Sequence, residues 1–450
     1  MLFLFAFFLR IAHKGQTHKI VMRKKTDPLY EKKMKKTLKL DLNYIQQQTE
    51  HHAPFMTGKF NNLNLMTALQ PIYSLAHKRV VGHEALVRIK EEGGGPVSPA
   101  ILFDQERSAI ETIQLDRLCR FIHIHNYRII NKSINWLFLN ISPITISSGR
   151  KTFGSYFREL LEFHDFPPHR IVIEVVEHPT SENDRLMETV AYFKELGCLI
   201  AIDDFGAGHS NFDRIWTLRP DIVKMDRSFM VRSSRNPEIR QILSGIVTLL
   251  HQAGALVLME GIETRDQAMI AIESDVDFVQ GFFFGRPFTN LQQPPPEFDG
   301  LNHLLADFKR EFHCSETESR QRIQTHRTLF EMAISKLKAG SDISAACTDM
   351  LSTLEVVRCY CIDTDGIQIG QTLVSSMYNA MKDKRFKPLE DASSADWFRR
   401  HYLRRAIYHP NQLQVTRPYL SITGAHMCVT LSMKFTCPDG DCILCCDLKT

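Results

Sequence analysis

The sequence predicts an α/β fold, a (β/α)8 TIM-like barrel, followed by a helical connector and a smaller α+β domain. From about residue 65, apolar runs rich in β-branched residues alternate with stretches of helical periodicity, which is the pattern of βα units around a largely parallel sheet. The strand runs are almost continuously apolar, as expected where both faces of a sheet are buried. Eight such runs fit into about 230 residues, close to the usual size of a barrel.

Each predicted element follows from its local pattern. The strands are expected at residues 65–73, 80–88, 136–141, 171–176, 199–204, 222–225, 256–259 and 277–283. Helices are expected at residues 105–126, 182–196 and 237–253. Ser181 is a plausible N-cap of the second helix, and Gly197 is its predicted C′ residue.

A chain of 450 residues is too long for one ordinary domain. We expect a basic N-terminal extension over residues 1–55, the barrel over 56–297, the connector over 298–340 and a regulatory domain over 341–450. The proline-rich residues 291–298 mark the end of the barrel. The connector carries apolar residues at helical spacing, so it could also form the seam of a dimer.

The N-terminal region is strongly basic, because residues 10–39 hold eleven Lys or Arg and two acids, while the whole chain carries a net charge of +4. A solvated arm is the simpler interpretation, and contact with a membrane surface or with nucleic acid is the alternative. We expect no specific binding of nucleic acid. Residues 1–9 are apolar but too short to span a bilayer, and they lack the features of a signal peptide. We therefore expect a cytoplasmic protein.

Polar side chains fall at or near the ends of seven consecutive predicted strands. In a barrel these ends meet at one rim, where such folds place their active sites. The residues are Glu84, Asn140, Glu174, Asp203, Asp204, Lys224, Glu260 and Gln280. A single acid of this kind is usually a structural ion-pair residue, but an ordered set on consecutive strands indicates a functional site.

The residue types in this set indicate the chemistry. Carboxylate and amide oxygens are the ligands that Mg²⁺ and Mn²⁺ prefer. The acids are too many for one ion, and two ions about 3.5–4 Å apart could hold a phosphate between them. Lys224 could orient an attacking water or stabilise charge on phosphoryl oxygens. These residues predict metal-assisted hydrolysis of a phosphodiester.

The motifs resemble those of the EAL-domain phosphodiesterases, which hydrolyse the bacterial second messenger cyclic di-GMP to linear pGpG. The signature Glu84-Ala85-Leu86 stands in the segment from Gly82 to Arg88. The resemblance covers roughly residues 65 to 290. It includes Gln70-Pro71-Ile72, Asn140-Ile141-Ser142-Pro143, Glu174-Val175-Val176-Glu177, Asp203-Asp204-Phe205-Gly206, Lys224-Met225-Asp226, Glu260-Gly261-Ile262-Glu263-Thr264, Gln280-Gly281 and Gly285-Arg286-Pro287.

The resemblance implies a role for each matching residue. It implies that Lys224, Glu260 and Glu84 are catalytic, and that two Mg²⁺ or Mn²⁺ ions are cofactors. The implied metal ligands are Glu84, Asn140, Glu174, Asp203, Asp204 and Glu260. The implied substrate-binding residues are Gln70, Arg88, Gln280 and Pro287.

The resemblance also implies a homodimer, because a glycine-rich loop anchored by Glu177 and Glu263 couples metal binding to dimerisation in the family. His209 stands where tyrosine is common in that loop. This departure puts fine tuning in doubt rather than activity.

The C-terminal region is predicted to be α+β. Strands are expected at residues 355–363, 418–423, 427–435 and 442–448, with turns at Asp365-Gly366 and Asp439-Gly440. The order of elements is similar in outline to PAS or Cache-type sensor domains, which implies a small-molecule or protein signal of unknown identity. Its cysteines, Cys359, Cys361, Cys442, Cys445 and Cys446, are interpreted as buried strand residues, with zinc or redox sensing as the alternative.

The predicted function is hydrolysis of cyclic di-GMP under the control of the C-terminal domain. The alternative is a non-catalytic receptor for cyclic di-GMP. Degenerate relatives of that kind usually lack some metal ligands or the lysine, and all of these residues are present here. This favours the enzyme.

Overall fold

The structure is a computed structural model that describes residues 40–99, 107–130, 133–142, 156–176, 183–207, 212–379, 392–421 and 427–449. These residues form two compact units, the first ending at Lys309 and the second beginning at Arg310. Each unit has its own apolar core. Within the described ranges, no helix combines the length and the apolar character that crossing a membrane requires.

The first unit is built around one mixed sheet. Its described strands are β1 Thr49–His52, β2 Phe55–Phe60, β3 Leu63–Ser74, β4 Arg79–Glu91, β5 Pro96–Val97, β6 Trp136–Asn140, β7 Ile171–Val176, β8 Leu199–Phe205, β9 Ile222–Met225, β10 Leu256–Met259 and β11 Phe278–Val279. Its described α-helices are α1 Leu42–Gln46, α2 Ala109–Ile130, α3 Tyr156–Phe163, α4 Asn183–Leu196, α5 Phe212–Leu218, α6 Arg227–Arg235, α7 Pro237–Gln252 and α8 Arg265–Glu273.

Eight of these strands close into a barrel, which confirms the predicted fold class. Strand β3 pairs with β11 on one side and with β4 on the other, and β4 continues through β6 to β10. The strands at residues 171–176, 222–225 and 256–259 have the predicted bounds. The hairpin of β1 and β2 was not predicted.

The barrel sheet is largely parallel, as predicted, and its first strand runs against the others. β3 is antiparallel to both of its barrel neighbours, whereas β4 and β6 to β11 are parallel to one another. The cause is the short connection between Ser74 and Arg79. Four residues can join antiparallel strands, but a parallel crossover needs a dozen or more.

The last barrel strand is shorter than predicted and covers only Phe278–Val279. Beyond it the chain turns against Ile262, whose amide donates to Gln280 O at 3.2 Å and whose carbonyl accepts from Phe283 N at 3.0 Å. A Cβ at Gly281 would lie 2.0 Å from Ile262 O, so only glycine fits there. These contacts end the ladder.

The predicted helices are present with small shifts. The first spans Ala109–Ile130 and ends four residues later than predicted. The second spans Asn183–Leu196, and Gly197 follows it with φ +98°, the left-handed conformation of a C′ glycine. Its predicted N-cap, Ser181, lies outside the described residues. The third spans Pro237–Gln252 after its N-cap Asn236.

The second unit is an antiparallel sheet with helices on its faces. Its described elements are α9 Leu301–Lys338, which begins in the first unit, α10 Ile343–Leu351, β12 Val356–Asp363, β13 Gln368–Val374, α11 Ser376–Asn379, α12 His401–Tyr408, β14 Gln414–Val415, β15 Tyr419–Leu420, β16 Met427–Cys437 and β17 Gly440–Lys449. The strand order is β13-β12-β17-β16-β14, and β15 also pairs with β16.

Three details of this unit differ from the prediction. Strand β13 was not predicted. The strand expected at 418–423 is described only at Tyr419–Leu420, and residues 422–426 lie outside the described ranges. The β16–β17 turn consists of Pro438 and Asp439, one residue earlier than predicted, because Cys437 pairs with Gly440.

The five cysteines considered above are all buried strand residues. Cys359, Cys361, Cys442 and Cys446 belong to one apolar cluster, and Cys445 belongs to the cluster on the other face of the sheet. The similarity of this unit to sensor domains remains a prediction.

Candidate metal centre at the barrel rim

The inward side chains of the barrel strands form an apolar layer. This layer consists of Ile72, Phe138, Val172, Ala201, Ile222, Leu258 and Phe278. Side chains alternate between the two faces of a strand, so the next inward position lies two residues further along. On the other face, residues such as Leu137 and Leu139 pack in the larger core cluster.

One step of two residues converts the apolar layer into a polar one. The inward residues at this step are Asn140, Glu174, Asp203, Lys224, Glu260 and Gln280. Strand β3 runs the other way, so the same step leads back from Ile72 to Gln70. On β4 it leads from Gly82, where a Cβ would lie 2.9 Å from the ring of Phe138, to Glu84. Because side chains alternate along each strand, the predicted site residues on these strands lie together in one polar layer.

Alternation alone cannot bring Asp204 to the same side as Asp203, because neighbouring residues of a strand point to opposite faces. Asp204 has φ +57°, and the β8–β9 register shifts between Ile202 and Phe205. Aspartate tolerates this left-handed conformation better than most residues. Single carboxylate oxygens of Asp203, Asp204 and Glu260 consequently lie within 4.8 Å of one another.

Lys224 is the central cation of the site. Its Nζ lies 2.5 Å from Glu174 Oε1, 2.7 Å from Glu260 Oε1 and 3.0 Å from Asp203 Oδ1, with Glu84 Oε1 at 4.0 Å. Its side chain is only 1% exposed. Four carboxylates thus share one ammonium group in a buried place.

Glu84 is held by two amides. Gln280 Nε2 donates to Glu84 Oε2 at 2.7 Å, and Asn140 Nδ2 donates to Glu84 Oε1 at 3.2 Å. With Nδ2 used in this way, the amide oxygen of Asn140 is left to act as a ligand. The two amides orient both Glu84 and the potential oxygen donor of Asn140.

Crowding and burial shift the pKa values of the site. Burial, helped by neighbouring Asp203, raises the pKa of Asp204 to about 7. Burial likewise raises the pKa of Glu260 to about 8, against the opposing effect of Lys224. Burial raises the pKa of Glu174 well above its usual range. Burial alone would lower the pKa of Lys224, but the carboxylates of Asp203, Glu174 and Glu260 outweigh it and raise that pKa.

The donor set fits divalent cations. Glu174 Oε1 is paired with Lys224 Nζ, but Oε2 of this fully buried side chain has no hydrogen-bond partner among the described residues. Buried carboxylate oxygens normally have a partner, so Oε2 is suited to a bound cation. The carboxylate and amide oxygens of the whole site match Mg²⁺ or Mn²⁺ in number and hardness.

The other predicted site residues lie around this cluster. Gln70 Nε2 donates to Gly285 O at 3.2 Å, two residues before Pro287. Arg88 is half-buried on β4, where its Nη1 donates to Val87 O at 2.9 Å. Burial lowers its pKa, although the charge of Glu84 opposes this. The structure does not bring Arg88 into an ion pair with the carboxylates described here.

Of the two residues predicted to anchor the glycine-rich loop, the structure describes one. Glu263 is described, and it forms an ion pair with Arg227 Nη2 at 3.0 Å. Glu177 and His209 lie outside the described residues.

One residue near the rim was missed by the sequence analysis. Asp116, on α2, accepts a hydrogen bond from Ser142 N, two residues after Asn140. A single acid within a helical pattern carries no sequence signal of such a contact, because only the fold brings the two segments together.

The fold and the rim define the class of protein: an eight-stranded α/β barrel with a candidate divalent-cation site at the carboxyl ends of its strands. A family model described as the EAL domain matches residues 57–287, just over half of the chain. The chain belongs to the EAL domain family.

Individual relatives are distant. The chain is 30% identical over 236 residues to the signaling protein YkoW of Bacillus subtilis, which covers 51% of this chain and 28% of YkoW. It is 28% identical over 236 residues to the probable cyclic di-GMP phosphodiesterase PdeG of Escherichia coli, covering 51% of this chain and 46% of PdeG. The chain therefore spans less than half the length of these curated relatives.

A solved structure shows a similar fold over most of the chain. The EAL-domain protein YkuI of Bacillus subtilis, crystallised with substrate c-di-GMP and calcium, superposes with a TM-score of 0.68 at 20% identity. The superposition covers 86% of this chain and 96% of YkuI. The likeness thus extends beyond the residues matched by the family model.

Proposed function

We propose that this protein hydrolyses cyclic di-GMP to linear pGpG and that two Mg²⁺ or Mn²⁺ ions are required. The observation that carries the proposal is the buried group of four carboxylates around Lys224, in which Glu174 Oε2 has no hydrogen-bond partner among the described residues. The similarity to PdeG, a probable cyclic di-GMP phosphodiesterase, and the ligands of YkuI support the same substrate and a divalent ion.

The ligands divide between two positions. Glu84, Asn140, Glu174 and Asp203 would hold one ion, and Asp204 would hold the second, with Asp203 near the bridge. Glu260 would bind the second ion or a water beside it. When bound, such ions polarise a phosphate and lower the pKa of a coordinated water.

The chain's own residues supply the remaining steps. Lys224 stays protonated at neutral pH because its pKa is raised, so it can donate hydrogen bonds to the attacking water and stabilise charge on the phosphoryl oxygens. Glu260, whose Oε1 lies 2.7 Å from Lys224 Nζ, is placed beside the same water and could accept its proton once it is ionised. Glu84, fixed by Gln280 and Asn140, keeps the first set of ligands in place.

Substrate contacts are proposed for residues at the edge of the cluster. Arg88 is assigned to a phosphate oxygen, because its planar fork matches an oxyanion. Gln70, Gln280 and Pro287 would line the site on the β3 and β11 side.

A homodimer is part of the proposal. Helix α7 carries an outward apolar stripe in which Ile242 is 58% and Leu249 is 42% exposed, with Ile246 partly exposed between them. Gly245 lies beside this stripe, and outside its own helical turn none of the described residues comes within 4 Å of the place of its Cβ. The second unit would respond to a separate small-molecule or protein signal.

One experiment distinguishes the enzyme from a cyclic di-GMP receptor. The full chain is incubated with cyclic di-GMP in the presence of Mn²⁺, Mg²⁺ or a chelator, and both pGpG formation and binding of cyclic di-GMP are measured. The proposal expects pGpG with either ion and none with chelator. Saturable binding of cyclic di-GMP without pGpG in any condition would favour the receptor.

A further inference from the structure

Helix α2 buries a charged pair. Asp116 is 8% and Arg120 is 2% exposed, and Arg120 Nη2 donates to Asp116 Oδ2 one helical turn away. Arg120 Nε also donates to the backbone carbonyl of Asp116 at 3.3 Å. Burying two charges is expensive, and such a pair often adds nothing to stability compared with apolar residues of similar size. The position of Asp116 next to the end of β6 suggests that the pair serves the site rather than stability.

The second oxygen of Asp116 reaches the end of a barrel strand. Oδ1 accepts a hydrogen bond from Ser142 N at 3.3 Å. The preceding amide, Ile141 N, donates to Glu174 O at 3.3 Å. Two successive amides after Asn140 are therefore tied, one to the next barrel strand and one to α2.

Asn140 itself depends on this support. Its side chain is exposed. Among the described residues, this side chain is hydrogen-bonded through Nδ2 to Glu84. The place of its amide oxygen is therefore fixed mainly by the backbone at the end of β6. A small shift of that backbone would move one donor of the cation site while leaving the strand core intact.

We propose that Asp116, held in place by Arg120, is a positioning residue that sets Asn140 for cation binding. This inference rests on the proposed cation site but not on hydrolysis. Asp116 makes no described contact with the carboxylate cluster, and it is not one of the proposed substrate-binding residues. It acts on the cation through Ser142 N and the chain leading back to Asn140.

The test is a double-mutant cycle in the full chain. The dissociation constant for Mn²⁺ is measured by calorimetry, without substrate, for the wild type, the two single variants and the double variant. Asp116→Asn weakens Mn²⁺ binding about tenfold, the loss typical of residues that orient a ligand. Asn140→Ala also weakens it. Asp116→Asn causes no further loss when Asn140→Ala is already present, because its effect passes through Asn140.

A matched control is the buried pair of Arg358 and Asp447 in the second unit, where Nε donates to Oδ2 at 2.5 Å. Asp447→Asn lowers thermal stability and leaves Mn²⁺ affinity unchanged. If Asp116→Asn fails to fold, Arg120→Gln replaces it in the cycle. Amide exchange at Ser142 supplies a second readout and is faster in either variant than in the wild type.

Unchanged Mn²⁺ affinity in Asp116→Asn, or losses that multiply in the double variant, would overturn the inference. A wild type that binds Mn²⁺ and shows the cycle but makes no pGpG would sink the proposed function and leave the inference intact. A wild type that binds no Mn²⁺ would overturn both.

Discussion

Lys224 Nζ lies 2.5 Å from Glu174 Oε1, and neither side chain exposes more than 1% of its surface. Three further carboxylates lie within 4.0 Å of the same ammonium group. One lysine does not neutralise four acids, so the site either retains protons or takes up cations. The elevated pKa values of Glu174 and Glu260 indicate the first state in the absence of a metal ion.

Replacing Lys224 tests its role as the internal cation. Lys224→Met should lower turnover at least about 100-fold, since it removes a donor to the reacting groups. In chelator at pH 8 it should also lower the free energy of unfolding by about 3 kcal/mol, because the crowded acids lose their partner. Mn²⁺ at 100 times its dissociation constant should restore about 2.7 kcal/mol. Denaturant titrations with and without Mn²⁺ check this, and a variant that Mn²⁺ does not stabilise would contradict it.

The apolar stripe of α7 predicts the contact surface of the proposed dimer. Ile242→Glu should yield a monomer at micromolar concentration, because a buried unpaired carboxylate at a dimer seam is costly. Light scattering measures the mass. The control is Gln241→Glu, an exposed neighbour on the same helix, which should remain dimeric. A wild type that is monomeric at the same concentration would refute the assignment.

A buried histidine predicts a loss of stability in acid. His164 is 1% exposed, its ring lies 4.7 Å from that of Phe121, and its Nε2 has no hydrogen-bond partner within the described part of the chain. Burial, with His125 and Arg128 nearby, lowers its pKa from 6.5 to about 3. Between these values the unfolded chain binds a proton that the folded chain does not. Stability is therefore full above pH 6.5 and is lost as the pH falls, by about 1 kcal/mol at pH 5.5.

The histidine contribution is isolated by substitution. His164→Phe fits the aromatic surroundings and should reduce the loss of stability between pH 7.5 and pH 5.5 by about 1 kcal/mol in urea titrations. His169→Phe, at an exposed position, should leave the loss unchanged. Equal pH sensitivity in His164→Phe and wild type would show that the ring is protonated in the folded state.

The polar rim could be predicted because it follows from a simple period. Alternation places Glu174 two residues after Val172 and Lys224 two residues after Ile222, and both strands consist of apolar residues around one charged side chain. A sequence of this kind fixes strand bounds and inward positions at the same time. The antiparallel direction of the first strand was not predicted, although the short interval between the first two predicted strands carried the signal for an antiparallel pair.

The remaining features depend on contacts that only the fold creates. The strained backbone of Asp204 lets it join Asp203, but φ +57° is not encoded in a recognisable pair of residues. Asp116 and Ser142 are 26 residues apart and meet only when α2 packs beside β6. Hydrophobic periodicity locates the elements, whereas such polar ties depend on the exact packing between them.

The central claim is that the buried acids of the rim serve cation-dependent hydrolysis rather than folding, and Glu174→Gln tests it most directly. The amide keeps the shape of the side chain and removes a buried charge, so the melting temperature in chelator should be equal to or above that of the wild type. Turnover of cyclic di-GMP in saturating Mn²⁺ should fall at least about 100-fold.

The control is Glu188→Gln on the exposed side of α4, which should change neither quantity. The decisive measurement is pGpG formation by Glu174→Gln beside its melting temperature. A stable variant without turnover is the predicted result. A variant that hydrolyses cyclic di-GMP within a few-fold of the wild type would contradict the account.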